Sequence, residues 1–162
     1  MLFGAQAGID SYFDPTQNDT IPFLARYEKL IKDRENRQYL DVLYHQLGLF
    51  YDKQKKPTQA TKNYNKSLRA NSTDKYLLAS NYRNLGNIDF DRALYASAGK
   101  YYDSTLALMN PKTREYRLYS KKRENLDDVI RFEKIAFEND SILSVLKMSK
   151  PEQIRILYQT CR

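Results

Sequence analysis

Few side chains in this chain are equipped for chemistry. His45 is the only histidine, and a lone imidazole becomes a general base only when a reacting group and an orienting partner stand beside it. It lies inside a recurring packing motif described below, which points to a packing or surface role. Cys161, the only cysteine, has no histidine near it in sequence and sits one residue from the end, where a chain is expected to fray. A single cysteine also forbids an internal disulfide. Asp127-Asp128 follow Asn125-Leu126 and read as acids near a helix start, while Glu138 and Asp140 read as flanking a turn. Neither pair has the third group that turns carboxylates into a metal or acid/base site. No metal-ligand cluster, glycine-rich phosphate loop or nucleophile motif occurs. The sequence therefore predicts no catalysis, no metal and no cofactor.

Basic residues remain. The formal net charge is +7, which favours acidic partners of any kind, whether nucleic acid, an anionic membrane surface or an acidic protein face. Lys53-Gln54-Lys55-Lys56 reads as a turn, and Lys121-Lys122-Arg123 precedes acids, so solvated faces account for both. No recognition-helix or single-strand-binding signature accompanies the charge, so nucleic-acid binding stands as the alternative reading rather than the first.

The elements that must position these groups are helical. Valines are few, period-two alternation is absent, and no Asn-Gly or Asp-Gly hairpin turn is present. With only 5 glycines and 5 prolines in 162 residues, the composition suits one compact all-α domain. No run approaches the ~20 apolar residues of a membrane span, and no signal peptide is visible at Met1. The abrupt start is expected of a piece of a longer protein, with Met1 an added initiator.

The organising pattern is a duplication. Tyr44, Leu47, Gly48, Ala60 and Tyr64 recur as Tyr82, Leu85, Gly86, Ala98 and Tyr102, each pair offset by 38 residues. This is the tetratricopeptide arrangement of helix, turn and helix, whose usual unit is ~34 residues. Glycine on the first helix and alanine on the second predict a close crossing, Gly48 onto Ala60 and Gly86 onto Ala98. One such hairpin leaves an apolar face uncovered, so hairpins stack into arrays.

Taken in order, residues 1–36 read as a partial preceding repeat. Residues 1–14 would be the remnant of a first helix, Pro15 to Asn18 a break, and Asp19 or Thr20 the cap of a helix to about Arg34 with Pro22 in its first turn. Residues 37–74 form one repeat, with helices from Arg37 to about Lys53 and from Pro57 to about Ala70. Residues 75–111 form the next, with helices over 75–91 and 94–109; the four extra residues at the joint predict a lengthened helix or a one-turn connector. Residues 112–162 read as a degenerate repeat and capping helices. Tyr119-Ser120 stands where Leu-Gly is expected and Phe132 where the alanine belongs. A further helix is expected around Leu126 to Phe137, a shorter one from Asp140-Ser141, and a last one opened by the capping box Ser149 to Glu152.

In stacked hairpins the first helices line a concave face. Helical periodicity places Val42, His45, Leu49 and Asp52 on that stripe, then Ser80, Arg83, Asn87 and Phe90, then Arg114, Arg117 and Lys121. Arginine and lysine on neighbouring turns around Asn87 would suit a carboxylate or an acidic peptide. Solubility alone is the competing account of these charges.

Seven strings carry a likeness that generic repeat positions explain only in part, and two of them, Tyr101 to Leu106 and Lys122 to Ile130, are not repeat consensus. They are Tyr39-Leu40-Asp41 before Tyr44-His45-Gln46, Tyr64-Asn65-Lys66-Ser67-Leu68-Arg69, and Asn71-Ser72-Thr73-Asp74-Lys75. Further on come Ala98-Gly99, Tyr101-Tyr102-Asp103-Ser104-Thr105-Leu106, Lys121-Lys122-Arg123-Glu124-Asn125-Leu126-Asp127-Asp128-Val129-Ile130 and Asn139-Asp140-Ser141-Ile142-Leu143. Over roughly residues 37–146 the chain resembles the SprE/PorW family of tetratricopeptide lipoproteins, which serve type IX secretion and gliding motility in Bacteroidetes. The resemblance implies a non-catalytic scaffold, lipid-anchored on the periplasmic side of the outer membrane. Its partners would be other proteins, among them ring and outer-membrane translocon components. The family's lipidated N-terminal cysteine has no counterpart here, and no family motif assigns binding residues.

Overall fold

The computed structural model describes the backbone of residues 20–160 and the side chains of 23–156. The expected remnant helix over 1–14, the break after it, Asp19 and Cys161 lie outside the described residues. Within them the chain is all-helical, as the weak strand signal predicts. Helix α1 (Thr20–Lys32) holds Pro22 in its first turn. It is followed by a 3-10 turn, Arg34–Tyr39, capped by the Asp33 carboxylate, which accepts from Glu35 N–H at 3.0 Å. Helix α2 (Leu40–Lys53) therefore begins three residues later than the expected Arg37.

Helices α3 (Pro57–Arg69), α4 (Lys75–Asp91) and α5 (Tyr95–Leu108) follow at the predicted positions. The pairs α2/α3 and α4/α5 are antiparallel hairpins that pack more extensively than any other helices. Their turns share one backbone design. Lys55 and Ala93 both adopt left-handed φ, 56° and 58°. In the first turn Lys56 N–H bonds Tyr51 O and Lys55 N–H bonds Asp52 O; in the second Leu94 N–H bonds Asp89 O and Ala93 N–H bonds Phe90 O. This is the Schellman closure of a helix C-terminus, repeated at the 38-residue offset. Helix α4 has 17 residues against 14 for α2, so the joint takes the form of a helix lengthened by three residues. Asp74 caps it, accepting from Tyr76 and Leu77 N–H at 2.8 and 3.3 Å.

The close crossings need one correction. A Cβ on Gly48 would lie 2.4 Å from the Tyr64 ring, and one on Gly86 would lie 2.6 Å from the Tyr102 ring. The glycines thus make room for a tyrosine ring, with Ala60 and Ala98 fully buried beside it. Three apolar clusters run along the molecule. One gathers Tyr27, Leu43 and Leu47 between α1 and α2, the second Ala60, Tyr64, Leu85 and Ile88, and the third Ala98, Tyr102 and Leu126.

The C-terminal third departs from expectation. One helix, α6 (Arg114–Leu146), spans 33 residues, where a degenerate hairpin and a shorter helix were predicted. Thr113 caps it, accepting from Tyr116 N–H at 3.1 Å. No glycine or proline occurs between Pro111 and Pro151, so nothing stops the helix where a turn was expected. Asp127-Asp128 and Glu138 to Asp140 accordingly lie inside it. Asp128 pairs with Arg131 at 3.2 Å and Glu138 with Lys134 at 3.7 Å, one turn apart. Helix α7 (Lys150–Thr160) begins at the predicted capping box, Ser149 N–H donating to Glu152 Oε2 at 3.0 Å.

Candidate protein-binding face

The first residues to place are those of the predicted stripe on α2. His45 is buried, 7% exposed, so the expectation that it lines an open groove is overturned. Its slot faces α4, the next first helix. There Asn81 Nδ2 donates to Ser67 Oγ at 2.7 Å, which in turn donates to the Asp41 carbonyl at 2.7 Å. With its amide nitrogen so used, Asn81 offers Oδ1 as acceptor, and His45 Nδ1–H donates to it at 2.8 Å. The neutral ring is the form this burial favours: desolvation lowers the His45 pKa, the Arg83 charge adds to it, and the bond to Asn81 partly offsets them. Leu49, by contrast, is half-buried, packed on the Ala60, Tyr64, Leu85 and Ile88 cluster.

On α4 the stripe is spent on the joint to α6. Arg83 Nη1 donates to Glu115 Oε1 at 2.5 Å, and Nη2 to the hydroxyl of buried Ser80 at 3.2 Å. Asn87 is a hub for three helices. Its Oδ1 accepts from Tyr102 Oη at 2.9 Å and from Lys122 Nζ at 3.1 Å, and its Nδ2 donates to Tyr119 Oη at 3.4 Å. Lys122 also stands 4.2 Å over the Phe90 ring and 5.0 Å over that of Tyr102. Burial lowers its ammonium pKa, and the Asp91 charge opposes that shift. Phe90 is half-buried beneath it, edge-on to Tyr95 at 5.6 Å. Leu49, Arg83, Asn87 and Phe90 are therefore half-buried residues already engaged at the joints between helices.

Arg114, Arg117 and Lys121 differ, all three being exposed. They recur at three and four residues along the first turns of α6, so they share one helix face. Behind them Arg123 is already committed, donating to Asp103 at 2.8 and 3.2 Å and to Asp127. Asp52 of the stripe is exposed, and its carboxyl pKa is raised by desolvation and by Asp91.

Sequence reasoning missed Ser67, Asn81, Glu115, Tyr119 and Lys122. A signal existed for one of them. Ser67 and Thr105 stand at the same 38-residue offset, and both are small hydroxyl residues with no exposure. Thr105 bonds its own helix, donating to Tyr101 O at 2.9 Å, while Ser67 reaches across to α2.

Among the described residues no cluster of three or more His, Cys, Asp or Glu could hold a metal ion, and no helix is long and apolar enough to cross a membrane. Comparison with models of known protein families and with curated proteins finds no match.

Proposed function

We propose that the chain is a tetratricopeptide-type helical-repeat scaffold, without catalytic activity, that binds other proteins within a type IX secretion and gliding apparatus. The observation that carries the repeat reading is the reuse of one contact. In both hairpins a glycine admits a tyrosine ring sixteen residues on, next to a Schellman turn of identical hydrogen bonding, at one constant offset. A hairpin built to stack is an element of a binding array. The assignment to secretion rests on the resemblance over roughly residues 37–146. That resemblance also supports a periplasmic position and a lipid anchor on the full-length protein.

The exposed Arg114, Arg117 and Lys121 are the binding residues of this reading, and an acidic peptide or carboxylate is the partner chemistry they suit. Arg83 is unsuited to a charge-reversal test, because Glu115 and Ser80 hold it and its reversal would open the α4 to α6 joint. The test is deletion of the gene, then complementation. Deletion should abolish export of proteins bearing the type IX signal, and an Arg114→Glu, Arg117→Glu, Lys121→Glu chain should fail to restore it while folding normally. Normal export in the deletion strain would sink the proposal. The alternative, nucleic-acid binding, would show as oligonucleotide affinity that falls steeply with salt as counterions are released.

A further inference from the structure

Beyond Ile130, α6 leaves the rest of the molecule. Every residue of 131–144 is exposed, and Phe137 is 76% exposed, the most of the exposed large hydrophobic residues among those described. An aromatic ring so placed is costly to leave in water and is the usual anchor of an interface. Glu133 and Asp140 lie four residues before it and three after, hence on the same face one turn to each side. Neither has an ion-pair partner among the described residues, whereas Asp128 and Glu138 are paired within the helix. The segment is also anomalous in charge. Residues 124–140 hold six acids and two bases, in a chain whose net charge is +7.

The opposite surface lies at the other end of the molecule. Helices α1, α2 and α3 enclose an open cleft of about 460 Å³, floored by Leu24, Ile31, Tyr44 and Leu47. Lys62 and Lys66 rise along one edge of it, one helical turn apart on α3 and both exposed. Lys66 has no ion-pair partner among the described residues, and its Nζ stands 5.0 Å from the centroid of the Tyr44 ring. On the other edge Lys32 is offset by its own neighbour Glu28, 3.9 Å away. The cleft is therefore apolar within and net positive at its rim.

These two surfaces are complementary in shape class and in charge: an aromatic knob between two carboxylates, and an apolar cleft beside two ammonium groups. We infer that the chain assembles head to tail, with Phe137 of one copy seated in the α1, α2 and α3 cleft of the next and Glu133 and Asp140 against Lys62 and Lys66. The occupant is a second copy because this one chain carries both halves of the match. The contact is heterologous, so it propagates into an open or ring-closing series and does not stop at a pair. A few turns of helix bury a small area, so assembly is concentration-dependent, and its rim charges make it salt-sensitive.

Sedimentation velocity across a concentration series, at low and high salt, tests this. The sedimentation coefficient should rise with concentration past that of a dimer, and less so at high salt. Phe137→Ala should weaken association about tenfold or more. Lys62→Glu with Lys66→Glu, and separately Glu133→Lys with Asp140→Lys, should each leave monomers. An equimolar mixture of these two variants should associate again, because each acidic surface then finds a basic one. All these positions are exposed, so circular dichroism and the melting temperature should stay near those of the parent chain. A monomer at every concentration overturns the inference. So does self-association that ignores the lysine reversals, such as symmetric pairing of two α6 faces.

Discussion

His45 is the residue whose chemistry is easiest to isolate, because it is the only histidine in the chain. Its folded pKa lies below 6.5, chiefly through desolvation. The unfolded chain therefore takes up a proton first as pH falls. Its contribution is fully present above the unfolded pKa of about 6.5 and is lost progressively below it, until the folded pKa is reached. Urea unfolding at stepped pH should show that decline, and His45→Gln should flatten it in the same window. A second prediction concerns Gly48 and Gly86. Alanine is the better helix former by roughly 1 kcal/mol, yet its methyl would enter the ring of a buried tyrosine at either site. Overpacking wins, and each Gly→Ala change should cost about 1–3 kcal/mol net in chemical denaturation. A stabilised variant would mean that Tyr64 or Tyr102 can move aside. The glycines were legible in the sequence because their spacing recurs. The polar joints were not, since Asn81 and Lys122 acquire their roles only from what the neighbouring hairpin brings to them.

The elements were legible where a stop signal is chemical and local. Pro57 at the head of α3, Asp74 as the cap of α4 and Ser149 with Glu152 before α7 all lie where their side chains predict. The error in α6 has the opposite cause. Asp140-Ser141 can cap a helix, but with no glycine or proline nearby to end the preceding turn they remain in its interior. The hairpin turns supply a test of how far backbone demand exceeds sequence choice. Ala93 holds φ at 58°, a left-handed conformation that costs a non-glycine residue roughly 1–2 kcal/mol. The 38-residue counterpart, Lys55, meets the same demand, and neither is the glycine that favours this slot. Ala93→Gly should therefore raise stability by about 1 kcal/mol, less the added freedom of the unfolded chain. Thermal denaturation reads it directly, and a lowered melting temperature would show that the Ala93 methyl contributes packing that outweighs the strain.

At the scale of the whole molecule, α6 has two halves with different sources of stability. Up to Ile130 it is held by tertiary contact, with Leu126 buried against Ala98 and Tyr102, and Ile130 against Gly99. Beyond that point, among the described residues, local pairs such as Lys134 with Glu138 support it, and a lone segment of that length is marginal in water. Removing everything after Lys134 should thus shift the melting temperature by no more than about 2 °C, since none of the described side chains removed is buried. Amide exchange in the intact chain at low concentration should step from slow to fast near Ile130. The same truncation removes Phe137 and Asp140 together, so it should abolish self-association while sparing the fold. Those two readouts separate the possibilities cleanly. A large drop in melting temperature with assembly unchanged would mean that the distal helix is covered by its own chain in solution, leaving neither a free knob nor a head-to-tail series.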